Sequence, residues 1–340
     1  MIEKQSDGLR RYWYIGCPSS RLQDKPLAIR LFDLDLVLFR GASRVPHALL
    51  DRCCHRGVQL SLGRVEEGQL ACRYHGWRYD GSGRCVLIPS MVAGRLVPDE
   101  MRVQSFPCVE QDGYVWIWSG GTVGPSSRPV AIPEFADHLW RQGTVTINAA
   151  SEHVLENNLD WCHPAFAHPW THGQFFVHRF GGAREQIYEV RFTQNGLTVF
   201  APPTVNATAP MPDRPIVKLA FTLPDRIRAE FWRPFHLLIY MHAVPMGTNC
   251  CRLEWVMPRL LPIGRKVVWA RRVPLILTQD RIVLESAERA YRGEDQKFEQ
   301  SVPADASTLL LRLLLRHAAR GTWESVMPKL SRRRLIKVRA

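Results

Sequence analysis

The chain has 340 residues, 46% hydrophobic and 23% charged, with a formal net charge of +13 and nine cysteines. Its length suits two domains better than one, because a single hydrophobic core stops growing near about 250–300 residues; the composition excludes disordered, collagen-like and disulfide-scaffold chains. The opening MIEKQSDGLRRYWY lacks the apolar core of a signal peptide, and no apolar run approaches the roughly 20 residues of a membrane span, so a cytoplasmic protein with reduced thiols and no transmembrane segment is expected.

The first third reads as β-rich. LAIRLFDLDLVLFRG (27–41) is full of β-formers with partial alternation, DGSG (80–83) is a turn signal, and DGYVWIWSG (112–120) looks like a buried strand. TVGPSSRPVAIPEF (122–135) is rich in Pro, Ser and Gly and sets a boundary between domains 1–121 and 122–340. SEHVLENNLDWCHP (151–164) has helical spacing behind a Ser cap. Its helix is expected to end near His163, because Pro164 pushes the preceding residue out of helical geometry. IYEVRFT, LTVFAP and HLLIYMHAV, within 186–256, read as strands. From Thr278 the pattern turns helical (TQDRIVLESAERAYRGEDQKFEQ), and a further helix fits 304–320. Residues 312–340 carry nine Lys or Arg and one acid, Glu324. This basic tail reads as a solvated face or a docking surface for an acidic partner; no nucleic-acid recognition motif accompanies it.

Two clusters of chemistry-bearing residues stand out. The first is CCHRGVQLSLGRVEEGQLACRYH (53–75), in which Cys53 pairs with His55 and Cys72 with His75. Thiolate and imidazole suit zinc, copper and iron–sulfur centres. Zinc hairpins draw like ligands from the same loop, whereas here each loop supplies one Cys and one His. That arrangement suits a [2Fe–2S] cluster with two thiolates on one iron and two imidazoles on the other, with zinc as the plain alternative. C-x-H-R-G followed by C-x-x-H-G-W, flanked by RYWYIG (11–16) and YDGSGRCVLIP (79–89), resembles the Rieske motif of ring-hydroxylating and related oxygenases. Cys54 and Arg73 stand where that motif commonly has prolines, and neither removes a ligand. Cys54 is either a rival ligand or an oxidation-prone thiol.

The second is ENNLDWCHPAFAHP (156–169), where Asn157, Asp160 and His163 are spaced to share a helix face and His168 follows after a turn. Two His near a helix end with an acidic neighbour make a metal site. Its position after the Rieske motif resembles the α subunit of Rieske non-haem iron oxygenases, in the vanillate and dicamba O-demethylase-like branch. EQSVPADASTLLLRLL (299–314) resembles the tail of that branch, so the likeness runs over nearly the whole chain.

The resemblance implies an α+β protein: an N-terminal all-β Rieske [2Fe–2S] domain, then a helix-grip-like catalytic domain with an antiparallel sheet. It implies that Cys53, His55, Cys72 and His75 hold the cluster, and that His163, His168 and a later carboxylate hold mononuclear Fe(II). Asp280, read at the start of a helix, is the candidate third ligand; the alternative is an acid favoured there by the helix dipole. Asp280, Leu284, Ala287 and Tyr291 would share the inward face. Asn157 matches a position that the family places close to the iron. Asp160 matches the bridging carboxylate that accepts the Nδ1–H of an iron-bound His, joining it to His75 or His55 of a neighbouring subunit in a homotrimer. The implied activity is hydroxylation or oxidative demethylation of a small organic substrate, monooxygenation rather than dioxygenation. It would use O2 and electrons from a ferredoxin or NAD(P)H-dependent reductase. The alternative is a Rieske electron carrier with an appended domain. Phe175, Phe176, Phe231, Trp232, Tyr240 and Met241 are pocket candidates without assigned roles.

Overall fold

The computed structural model describes residues 8–339 except 93, 122, 126, 133–139, 161, 169–184, 202–216, 233–235, 259–264, 294–297 and 331–332. Two compact units divide the chain: residues 9–136, and residues 137–340 together with the first eight.

The first unit is all β. Its strands are β1 (Trp13–Pro18), β2 (Leu27–Leu31), β3 (Leu34–Arg40), β4 (Pro46–Leu50), β5 (Arg64–Glu66), β6 (Gln69–Ala71), β7 (Arg78–Tyr79), β8 (Cys85–Leu87), β9 (Ser105–Phe106), β10 (Cys108–Gln111) and β11 (Tyr114–Trp118). They pair antiparallel into three sheets, β1–β11–β10, β2–β3–β4–β9 and β5–β6–β7–β8. The run 27–41 is a hairpin rather than one strand. Phe32 and Asp33, at φ 49° and 65°, make its two-residue turn. Two positive φ values match the twist of a hairpin but usually call for Asn or Gly. Here the Phe32 ring is held instead, edge-on to Tyr14 at 5.0 Å and under the Arg10 guanidinium at 4.8 Å. The expected boundary at 121/122 opens a stretch that lies along the β1–β11–β10 sheet. Trp13 Nε1 donates to Ser127 O, Gln111 Nε2 donates to Pro129 O, and the Ile132 N–H donates to Asp112.

The second unit is α+β. Its strands are β12 (Trp140–Ile147), β13 (Glu185–Thr193), β14 (Gly196–Ala201), β15 (Val217–Thr222), β16 (Arg226–Phe231), β17 (Leu237–Gly247), β18 (Cys250–Pro258) and β19 (Arg333–Arg339). They form one antiparallel sheet in the order β12–β18–β17–β16–β15–β14–β13–β19. Register fixes which side chains share a face. Val217, Leu219, Phe221, Ile227, Ala229, Ile239 and Met241 belong to one buried apolar row. Tyr240 points to the opposite face, where Arg228 Nε donates to its hydroxyl at 3.1 Å, so Tyr240 and Met241 cannot line one pocket wall. Phe175 and Phe176 lie outside the described residues.

The helices are α1 (Ser151–Leu159), α2 (Pro164–Ala167), α3 (Arg265–Gly293), α4 (Ala306–Ala319) and α5 (Trp323–Val326). Helix α1 packs on strands β15 to β18 and on α4. Arg312, which interrupts the apolar run of α4, forks onto both oxygens of Glu156 in α1 at 2.6 and 2.7 Å and reaches Glu299 at 2.7 Å. The apolar face of α4 (Leu310, Leu311, Leu314, Leu315) is thereby keyed to one position on α1.

Four expectations are corrected here. Ser151 is not the cap of α1; Ala150 is, without a side-chain bond, and α3 supplies the acceptors. Glu285 accepts from the Asn148 N–H and Glu288 from the Ala150 N–H, which places negative charge at the positive end of α1. Helix α1 ends at Leu159, with Asp160 extended, so Asn157, Asp160 and His163 do not share one helix face. Asp280 lies well inside α3, which begins at Arg265, so the dipole explanation for its place falls away. The buried face of α3 runs through Leu277, Asp280, Leu284 and Glu288, while Ala287 is exposed. Within the basic tail, β19 forms an edge strand on which Arg333, Arg334 and Lys337 are exposed, in keeping with a solvated face. β19 pairs with β13, and Arg333 lies 3.1 Å from the fully buried Glu189. A Lys- and Arg-rich edge discourages further strand pairing.

Candidate metal centres

In the first unit both loops use one backbone device. The Cys53 N–H donates to Val58 O at 2.8 Å and the Gly57 N–H to Cys53 O at 2.9 Å. The Cys72 N–H donates to Trp77 O at 2.8 Å and the Gly76 N–H to Cys72 O at 3.0 Å. Each turn closes on a glycine in the left-handed region, Gly57 at φ 75° and Gly76 at φ 73°. A Cβ on Gly76 would also meet Pro89 at 3.0 Å. The His is the third residue of one turn and the fourth of the other. Buried Asp51 pins the first loop by accepting from the Ser61 N–H at 2.7 Å and its hydroxyl at 2.6 Å.

The side chains divide by depth. Cys53 and Cys72 are buried, while His55 is half-buried and His75 exposed. The His55 and His75 rings meet edge to face at 4.6 Å, and His55 stacks on Trp77 at 4.4 Å. His55 Nδ1 is buried with no hydrogen-bond partner. An orphaned ring nitrogen beside two buried thiols, with the second imidazole of His75 in ring contact, fits the two-sulfur, two-nitrogen donor set of a Rieske-type cluster. Burial pushes the Cys72 thiol up, while the N–H groups of Tyr74 and His75 pull it down. The Tyr79 hydroxyl lies 3.0 Å from Cys53 Sγ and 3.3 Å from Cys54 Sγ. Burial, and then the two sulfurs, hold that phenol protonated far above its ordinary range. Sequence reasoning did not single out Tyr79, although it faces inward on the strand leaving the second loop.

In the second unit the three expected residues converge. His163, His168 and Asp280 can each offer one donor atom, all within 4.8 Å of one another. His168 Nε2 lies 3.1 Å from Asp280 Oδ1 and His163 Nε2 lies 3.5 Å from it. Asn157, as expected, is at the centre, with Nδ2 donating to Asp280 Oδ1 at 3.0 Å. Burial pushes the Asp280 carboxyl up, but hydrogen bonds from His163 and His168 outweigh it and hold the group well below the usual carboxylate range. Burial lowers His163, and the Asp280 hydrogen bond and charge more than offset it, so the ring ends raised.

The other ring nitrogens are engaged. His168 Nδ1 meets Gln279 Oε1 at 3.0 Å, and His163 Nδ1 meets the Asp160 backbone carbonyl at 3.0 Å. The Asp160 carboxylate is 3.8 Å from that nitrogen, and its Oδ1 accepts the Cys162 N–H at 2.7 Å. Within one chain, then, the expected carboxylate–His163 bond is made by the backbone of the same residue. Nδ1 donation to these two oxygens leaves Nε2 as the nitrogen of each ring that would give up its contact with Asp280 and turn its lone pair to a bound metal. Gln279 was missed in the sequence, where its position immediately before Asp280 was the one available signal.

Residues 12–107 correspond to the family described as Rieske [2Fe-2S] domain. The chain carries a Rieske [2Fe–2S] domain. Among relatives of the Rieske chain, chlorophyllide a oxygenase of Chlamydomonas reinhardtii is 36% identical over 171 residues, covering 48% of this chain and 25% of that protein. The dicamba O-demethylase oxygenase component of Stenotrophomonas maltophilia is 36% identical over 165 residues, covering 47% and 48%. These matches span a quarter to a half of the length of the curated relatives. The crystal structure of dicamba monooxygenase bound to dicamba superposes over 92% of this chain and 98% of its own, with TM-score 0.73 and 22% identity. The sequence of residues 12–107 is thus that of a Rieske [2Fe–2S] domain, and the fold of the chain is that of the solved dicamba monooxygenase. Among the described residues no helix is long and apolar enough to cross a membrane.

Proposed function

We propose that the chain is a terminal oxygenase component. It takes O2 and electrons delivered by a ferredoxin or an NAD(P)H-dependent reductase, and it hydroxylates or oxidatively demethylates a small aromatic or apolar substrate. The observation that carries this reading is the convergence of His163, His168 and Asp280 in a chain that also carries the cluster loops. Two imidazoles and one carboxylate on one side, with the remaining positions open, form the donor set of non-haem iron(II) oxygenases. Monooxygenation is favoured by likeness to proteins named dicamba O-demethylase and dicamba monooxygenase.

We assign Cys53 and Cys72 to one cluster iron and His55 and His75 to the other, and His163, His168 and Asp280 to mononuclear iron. When bound, the cluster supplies electrons one at a time and the mononuclear iron supplies O2 activation. The protein's own part is to hold and orient. Gln279 and the Asp160 carbonyl keep the Nδ1 protons of His168 and His163, and Asn157 steadies the Asp280 carboxylate. A homotrimer is proposed, in which the cluster edge of one subunit faces Asp160 of another. Exposed Tyr74 beside His75 and exposed Phe166 between His163 and His168 support it, because both are large apolar groups at the rims of their sites. The cytoplasm is the proposed compartment, supported by nine free cysteines.

The test is a count of iron and acid-labile sulfide on anaerobically purified protein, with an EPR spectrum of the reduced sample. About three irons and two sulfides per chain, with a Rieske-type signal, is expected. Two irons after reloading with iron(II) would make the chain an electron carrier, and zinc without sulfide would overturn both assignments.

A further inference from the structure

The cluster loop holds a third sulfur that the assigned ligands do not use. Cys54 is exposed, next to buried Cys53, and the two sulfurs approach the same Tyr79 hydroxyl from 3.3 and 3.0 Å. Tyr79 itself is fully buried. Its neighbour across the strand pair, Cys85, aims its own thiol at Leu87 O at 3.5 Å and so does not compete for the phenol.

Proton counting decides the direction of these contacts. With a cluster bound, Cys53 is a thiolate and can only accept. Tyr79 has a single proton, so its O–H donates to Cys53 Sγ. The phenol oxygen is then left as an acceptor, and the Cys54 thiol carries the proton nearest to it. Donors in series polarise one another, so a bond from Cys54 to the phenol oxygen strengthens the phenol's bond to the ligand sulfur. Hydrogen bonds to ligand sulfurs stabilise the reduced cluster and raise its potential.

We propose that Cys54 is a positioning residue for the cluster: its thiol donates to Tyr79, which donates to Cys53, and this two-step relay raises the reduction potential. The proposal rests on the cluster assignment above. It gives Cys54 a role distinct from that of a rival ligand, and it makes an exposed thiol a point at which chemical modification reaches the cluster.

The experiment is a spectroelectrochemical titration of the cluster in the full-length holoprotein, for wild type, Cys54→Ala, Cys54→Ser, Tyr79→Phe and Cys54→Ala/Tyr79→Phe. Iron and sulfide are counted in each. Cys54→Ala is expected to lower the potential with cluster content unchanged, and Cys54→Ser, which keeps a donor, to restore most of it. Tyr79→Phe should lower it further, and the double variant should match Tyr79→Phe, because Cys54 acts only through the phenol. A raised potential in Cys54→Ala would mean that the two sulfurs share the phenol proton, and no change would mean no coupling; either overturns the relay. Loss of cluster in Cys54→Ala would make it a ligand and overturn it too. Wild-type protein without a cluster would instead fail the assignment beneath it.

Discussion

Gln279 is the sharpest test of how the mononuclear site is held. Its Oε1 lies 3.0 Å from His168 Nδ1, and His168 is 1% exposed. Replacing Gln279 with Leu keeps the bulk and removes the acceptor, and burial keeps water from substituting freely. A buried donor deprived of its acceptor costs about 1–3 kcal/mol. Loss of an outer partner of a metal-bound His costs roughly 10–100-fold in metal affinity, which is about 1.4–2.7 kcal/mol. The two routes agree, so Gln279→Leu should weaken iron(II) binding by roughly one to two orders of magnitude. The assay is anaerobic competition with a chelator on protein whose cluster is intact and whose mononuclear site has been emptied. Gln279→Glu retains an acceptor oxygen and should recover most of the affinity. An unchanged affinity in Gln279→Leu, or an equal loss in both variants, would refute the orienting role.

Three further outcomes follow from the same contacts. Asp160→Asn keeps an oxygen for the Cys162 N–H, so both metals should remain by iron count and EPR while turnover falls to near background; full turnover would remove Asp160 from the electron path. Gly76→Ala forces a Cβ into the left-handed region, at about 1–2 kcal/mol, and against Pro89, so sulfide per chain should fall while the second unit melts unchanged. Arg312→Leu strands the Glu156 carboxylate, at roughly 2–4 kcal/mol by denaturant titration, and Glu156→Leu in the same chain should recover part of the loss rather than add to it.

The proposed metal ligands were legible because their chemistry fixes residue type and close spacing. Cys53 with His55, Cys72 with His75, and His163 with His168 are each within a few residues, so a short stretch of sequence displays them. Asp280 was legible only through resemblance, and its local setting was misread. The sequence pattern begins at Thr278 because Pro274 interrupts the periodicity, yet a proline removes one backbone donor without ending α3. The end of α1 was misjudged for a related reason: Pro164 was read as the stop, whereas Asp160 turns out of the helix first.

What stayed hidden is the set of partners that come from far along the chain. Gln279 meets His168 across 111 residues, Glu285 meets Asn148 across 137, and Arg312 meets Glu156 across 156. None has a local signature, and Arg312 even looks like a flaw in an apolar helix. Their common effect explains why α3 carries acids where an amphipathic helix would place alanine. On its inner face Asp280 faces the two His and Glu288 two turns further meets the Ala150 N–H, while Glu285 beside that face holds Asn148 at the start of α1. That helix carries Asn157 and leads into His163. A single rigid helix therefore supplies the carboxylate and also fixes the segment that delivers the other donors. A displacement of α3 would move all three donors together rather than spread them apart.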